Sequence, residues 1–168
     1  DIKVYLLHLI NQNNISISLQ NTIINSIKFY YEKVLLRERF FIKDLRPKRS
    51  STLPDILSES EVERLLNSTS NVKHKAILSL IYAAGLRLSE VVNLRKADLL
   101  MDQRKIHVKA GKGKKDRMTL LSEKIILRIM EYNDIYKPKY WVFEGQDGGK
   151  YSPRSVQLIF RKAVDLSK

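Results

Sequence analysis

Residues 83–94 read A-A-G-L-R-L-S-E-V-V-N-L and join two helical patterns around a single arginine, Arg87. On the amino side Val72, Ala76, Ile77, Leu80, Ile81 and Ala84 recur at helical spacing, which predicts a helix that buries one face and ends near Gly85. On the carboxyl side Val91, Val92 and Leu94 resume an apolar pattern, with Ser89 and Glu90 in its first turn. A guanidinium at such a junction keeps its charge, and its planar fork of donors fits a phosphate or a carboxylate. The stretch alone leaves two readings open: Arg87 pairs with Glu90 or caps a helix end, or it holds an anion.

Downstream, residues 105–110 alternate, with Ile106 and Val108 on one side and Lys105, His107 and Lys109 on the other. Gly111-Lys112-Gly113-Lys114-Lys115-Asp116 supplies turn residues, and residues 117–121 run as a second short strand, so the segment predicts a β-hairpin with a lysine-rich tip. His107 falls on the polar, solvated face. The tip lacks the spacing G-x-x-x-x-G-K-[ST] and has no parallel strand-loop-helix unit around it, which excludes a nucleotide-binding loop.

The remaining pattern is helical. Residues 2–10 suit a helix that the polar cluster at 11–14 interrupts. A longer helix follows, capped by Ser18, with Leu19, Ile23, Ile27, Tyr30, Val34 and Leu35 as its stripe and Lys28, Lys33, Arg37 and Arg39 on the other face. Residues 1–44 are too few to bury an autonomous core, and they read as part of a small helical domain whose beginning is missing. Residues 45–57 form a basic linker with two prolines, where Arg46, Lys48 and Arg49 either track a phosphate backbone or only solubilise a tether. A second domain, 58–168, opens at Ser58-Glu59-Ser60-Glu61, which has capping-box spacing ahead of Val62, Leu65 and Leu66. Later helices start at Ser122, with Ile125, Ile126, Ile129 and Tyr132 inward, and at Ser152-Pro153, with Val156, Ile159, Phe160 and Val164 inward. Between them lie an apolar anchor, Trp141-Val142-Phe143, and a glycine-rich loop.

Composition narrows the partners. In 168 residues the formal charge is +13 and the pI about 9.9, which points to a polyanion, nucleic acid ahead of an acidic membrane. There is no spanning-length apolar run and no signal-peptide layout, so a cytoplasmic protein is expected. The absence of cysteine excludes disulfides and thiolate chemistry, and His8, His74 and His107 are too scattered to ligate a metal. Neither a metal nor any other cofactor is expected.

The arginine box and the hairpin gain meaning together. A-G-L-R-L-S-E at 84–90, followed by a short strand and A-G-K-G-K-K-D-R-M-T-L-L at 110–121, closely resembles the first half of the catalytic domain of tyrosine recombinases, the phage-type integrase and Xer-like family. R-P-K-R at 46–49 resembles that family's interdomain linker, and S-P-R-S-V-Q-L-I-F-R-K-A at 152–163 resembles the helix before its second catalytic box. The fold implied is mostly α with a small antiparallel sheet: a partial catalytic domain preceded by part of a helical core-binding domain. By the same resemblance Arg87 is the first catalytic arginine, Glu90 helps to position the site, and Lys112 is the hairpin lysine that acts as general acid. Lys114 and Lys115 remain alternatives for that lysine, and the hairpin as a purely electrostatic phosphate clamp remains open. Arg117 and Arg154 join Lys33, Arg37, Arg46, Lys48, Arg49, Lys114 and Lys115 as expected DNA contacts.

The family's second box, histidine-x-x-arginine, and its tyrosine nucleophile have no match. His8, His74 and His107 are followed three places later by Asn11, Ile77 and Ala110, and Tyr30, Tyr82 and Tyr132 sit in apolar stripes where packing is their expected role. The chain is therefore expected to be a fragment, truncated at both ends, of a protein that nicks and reseals DNA through a 3′-phosphotyrosyl link. Alone it would be a nucleoid-associated monomer that binds DNA without cleaving it, whereas the parent would assemble as a tetramer on DNA. A non-catalytic accessory DNA-binding protein on the same scaffold is the alternative, followed by a basic scaffold for protein or acidic membrane.

Overall fold

A computed structural model describes residues 2–13, 15–38, 46–47, 56–109 and 116–167. The chain divides into two compact units, Asp1–Asp55 and Ile56–Lys168.

In the first unit, α1 (Ile2–Asn13) buries Leu6 and continues through Asn11, where the polar cluster was expected to break it. Helix α2 (Ile17–Phe29) is capped by Ser16, whose hydroxyl accepts from the Leu19 amide at 3.2 Å. The expected cap, Ser18, lies inside the first turn, and its carbonyl accepts from Thr22 Oγ1. The buried face also differs from the expected stripe: it comprises Gln20, Asn21 and Ile24, while Leu19, Tyr30, Val34 and Leu35 are exposed. One residue of offset turns a helical face by about 100°. The π-helical stretch Tyr30–Val34 that continues α2 then rotates the later residues further off that face.

The second unit begins with α3 (Glu59–Asn67), closed by the expected capping box: the Ser58 hydroxyl accepts from the Glu61 amide, and the Glu61 carboxylate accepts from the Ser58 amide at 2.7 Å. Asn71 caps α4 (Val72–Ala84) through its side-chain oxygen and the His74 amide. Helix α4 is the hub, packed against α3, α5 (Leu88–Val92), α6 (Glu123–Tyr136) and α7 (Pro153–Ser167). Ile77 and Leu80 on α4, Val91 on α5, and Ile129 and Tyr132 on α6 are almost wholly removed from solvent, the main stabilising term for a unit of this size. Ala163, rather than Phe160, faces the core from α7: Phe160 is 46% exposed and Ala163 2%. Ser122 occupies the N-cap position of α6, but its side chain makes no capping bond.

The sheet is antiparallel, in the order β1 (Leu99–Leu100), β2 (Lys105–Val108), β3 (Arg117–Leu120). Leu99 pairs with Ile106, and His107 with Met118. The β2–β3 hairpin follows the alternation, with Ile106 and Val108 buried, whereas β1 is an additional strand of two residues. The hairpin tip, 110–115, lies outside the described residues. Val142 and Phe143 are buried as expected, and the Val142 amide donates to the Leu94 carbonyl at 2.9 Å, tying the anchor to the chain leaving α5.

Candidate functional site

Gly85 ends α4 in the left-handed region, at φ 59°, a conformation that costs glycine little, and its amide donates to the Ile81 carbonyl. The reversal delivers Arg87 in extended conformation as the N-cap of α5, three residues before Glu90. Glu90 Oε2 accepts from the Arg87 amide at 2.8 Å, and Glu90 Oε1 accepts from Arg87 Nη1 at 2.8 Å. Of the two readings open from the stretch, the contact with Glu90 is the pairing one: Arg87 bonds that carboxylate at a helix start. The burial is uneven, however, because the Glu90 side chain is 4% exposed and that of Arg87 54%. The carboxylate is the inner member, and about half of the Arg87 side chain stays open to solvent.

Strand β3 brings a second guanidinium to the same carboxylate. Arg117 Nη2 donates to Glu90 Oε2 at 2.7 Å and to the Gly85 carbonyl at 3.1 Å. Two residues on, at the strand period, Thr119 Oγ1 donates to the Ala84 carbonyl at 3.0 Å. The end of α4 is therefore satisfied by β3. Burial pushes the Glu90 carboxyl up, but hydrogen bonds from Arg87 and the charges of Arg117 and Arg87 outweigh it and hold the group below its ordinary value. With the carboxylate ionised, two guanidiniums share one negative charge and the trio keeps a net positive one.

The two strands that flank the tip are tied down on their own sides. Lys109 Nζ meets Asp98 Oδ1 at 2.5 Å, and the buried Asp98 also accepts from the Arg95 amide at 3.1 Å. His107, expected to be solvated, is half-buried and hydrogen-bonds Asp116 at 3.0 Å through Nε2. Lys112, Lys114 and Lys115 lie outside the described residues, as do Lys48 and Arg49.

Among the other expected DNA contacts, Lys33 and Arg37 are exposed in the first unit, and the Arg37 guanidinium lies 5.4 Å from the centre of the Tyr31 ring. Arg46 hydrogen-bonds Asn25 in that unit, and Arg154 is exposed on α7 in the second. Of the tyrosines assigned to packing, Tyr132 is fully buried, but Tyr30 and Tyr82 are exposed. Alternation along β3 is the one sequence signal that puts Arg117 and Thr119 on the same side. What that side meets is a contact across 27 residues, which periodicity does not report.

The sequence model of the phage integrase family matches residues 55–168, and that of the phage integrase N-terminal SAM-like domain matches residues 1–39. A tyrosine recombinase of Thermosipho africanus is 40% identical over 101 residues, covering 58% of this chain and 36% of its own. The tyrosine recombinase XerA of Pyrococcus horikoshii is 32% identical over 158 residues, covering 91% of this chain and 55% of its own. Among solved structures, that of the XerH site-specific recombinase bound to difH substrate, a pre-cleavage complex, superposes with a TM-score of 0.72 over 98% of this chain and 53% of that one. At 18% identity, that likeness is one of fold. The chain spans about half the length of the curated relatives it matches.

Proposed function

Because this chain belongs to the phage integrase family of tyrosine recombinases, we propose that it supplies DNA-binding and phosphate-activating parts of a protein that recombines specific DNA sites by cutting and rejoining strands through a 3′-phosphotyrosine. The observation that carries this reading is the buried Glu90 carboxylate, which holds Arg87 by side chain and backbone while about half of the Arg87 side chain stays exposed. During phosphoryl transfer the non-bridging oxygens gather negative charge, and a preorganised guanidinium stabilises that charge without waiting for solvent to reorient. Arg87 takes that task and Glu90 holds it in place.

Lys112 protonates the leaving deoxyribose oxygen, and the neighbouring charges of Lys114 and Lys115 ease the release of its proton. Lys33, Arg37, Arg46, Lys48, Arg49 and Arg154 neutralise backbone phosphates. The net charge of +13 supports a duplex partner, as does the fold shared with a recombinase captured on its substrate. None of the three histidines is followed three places later by arginine, so the 168 residues themselves are assigned DNA binding without strand cleavage; a monomer in solution is proposed with it.

The test is titration of the chain into fluorescent duplex DNA at several salt concentrations, alongside incubation with a nicked suicide duplex. Non-covalent binding that weakens steeply with salt, and no covalent adduct, is the expected result. Absence of binding at low salt would overturn the DNA-binding role, and an adduct would overturn the assignment of binding alone.

A further inference from the structure

Arg117 was expected among the DNA contacts, and its geometry gives it other work. We propose that Arg117 is a positioning residue for Arg87: it acts through Glu90 and does not itself touch DNA. This rests on the reading of Arg87 as the phosphate-binding arginine.

Three observations carry the inference. First, one nitrogen of Arg117 spans two fixed points: Nη2 donates both to Glu90 Oε2 and to the carbonyl of Gly85, the residue whose left-handed turn sets where Arg87 emerges. The carboxylate is thereby registered against the turn as well as against Arg87. Second, the two guanidiniums differ in access. Arg117 is 34% exposed against 54% for Arg87, and Arg117 Nη1 is buried with no hydrogen-bond partner among the described residues. Arg87 is the one that faces outward.

Third, the charge balance needs a second cation. An arginine paired alone with a buried carboxylate forms a neutral unit, and a phosphate must compete with that carboxylate for its donors. A second guanidinium on the other oxygen of the same carboxylate shares its charge, so the unit that meets a phosphate stays cationic. Arg117 supplies that cation from inside, on a different element from Arg87, and Thr119 on the same strand face fixes the approach through the Ala84 carbonyl. The strand that leaves the lysine-rich turn is in this way locked to the arginine box.

The test is a double-mutant cycle on the whole chain, read by binding to fluorescent duplex DNA across a salt series, with R87A, R117A, R117K and R87A/R117A. R117A is expected to weaken binding about tenfold in the wild-type background, the size of one lost charge-assisted hydrogen bond, and by less than about threefold once Arg87 is gone. R117K, which keeps the charge and loses the fork, falls between wild type and R117A. A direct phosphate contact instead predicts the same loss in both backgrounds, with the salt slope reduced by about one unit in each, and that result would overturn the positioning role while leaving Arg87 on the phosphate. If R87A bound DNA like the wild type, the underlying reading would fail first and this one with it.

A second readout is the titration of the Glu90 carboxyl followed by carbon NMR, which does not depend on DNA. It should move to higher pH in R117A, or in R117Q, which also removes the charge, if R117A does not fold. An unchanged titration would show that Arg117 does not act through Glu90.

Discussion

Replacing Glu90 by glutamine removes one charge from the best-satisfied carboxylate of the arginine box. In the native chain it accepts three charge-assisted or backbone hydrogen bonds, from the Arg87 amide, Arg87 Nη1 and Arg117 Nη2, at 2.7–2.8 Å. Glutamine keeps one carbonyl acceptor and, in either orientation, turns its NH2 towards a guanidinium that already donates. Breaking a fully buried ion pair costs about 3–5 kcal/mol. Here both arginines reach solvent and can be rehydrated, so the cost is discounted to about 2–3 kcal/mol. For a unit of this size that corresponds to a fall in melting temperature of roughly 10 °C. The chain has a single tryptophan, Trp141, which lies in the second unit, so its fluorescence reports the melting of that unit.

The pH dependence gives a second handle on the same variant. The folded Glu90 carboxyl titrates below its unfolded value, so its contribution is complete above the unfolded pKa and is lost as pH falls through the folded one. The stability gap between wild type and E90Q should therefore be full at neutral pH and close in acid. A gap under about 0.5 kcal/mol at neutral pH, or one that persists unchanged in acid, would refute the claim that this carboxylate organises the site.

Two further substitutions test the frame around it. Gly85→Ala should cost about 1–2 kcal/mol in denaturant melts through its left-handed backbone alone, because an added Cβ meets nothing within 4 Å. A larger loss would mean that the turn tolerates no side chain for some other reason. Tyr132 is fully buried; burial pushes its hydroxyl up to about 12 against a weaker opposing pull from the Glu144 backbone, and the hydroxyl meets no partner at full hydrogen-bond geometry among the described residues. Tyr132→Phe should thus change stability by less than about 0.5 kcal/mol and remove an ionisation seen only in strong alkali, whereas a loss above about 1 kcal/mol would reveal a bond to that hydroxyl.

The sequence was most legible where local chemistry decides local structure. Ser58 and Glu61 announce a helix start because the two groups satisfy each other across one turn, and Gly85 announces a stop because the turn needs a positive φ. Strand alternation marked Ile106 and Val108 as inward for the same short-range reason. Less legible were features set by neighbours. The stripe on α2 is offset because polar Gln20 and Asn21 take the buried face, which an apolar period does not mark, and the π-helical stretch from Tyr30 changes the phase of the later residues; Ala163 rather than Phe160 faces the core because the position on the helix decides burial rather than the size of the side chain. Two-residue β1 is too short to show a period and exists only because β2 pairs with it. At the site, Arg87 and Glu90 could be paired by eye from their spacing, but Arg117 joins them through the fold.

The most direct test of the account is the salt dependence of duplex-DNA binding by the wild-type chain and by R87A. If Arg87 holds a phosphate, log affinity should fall linearly with log salt in both, R87A should bind more weakly, and its slope should be smaller by about one unit, the counterion released by one phosphate contact. Equal slopes and equal affinities would contradict the account, since Arg87 would then be no more than the partner of Glu90 at a helix start.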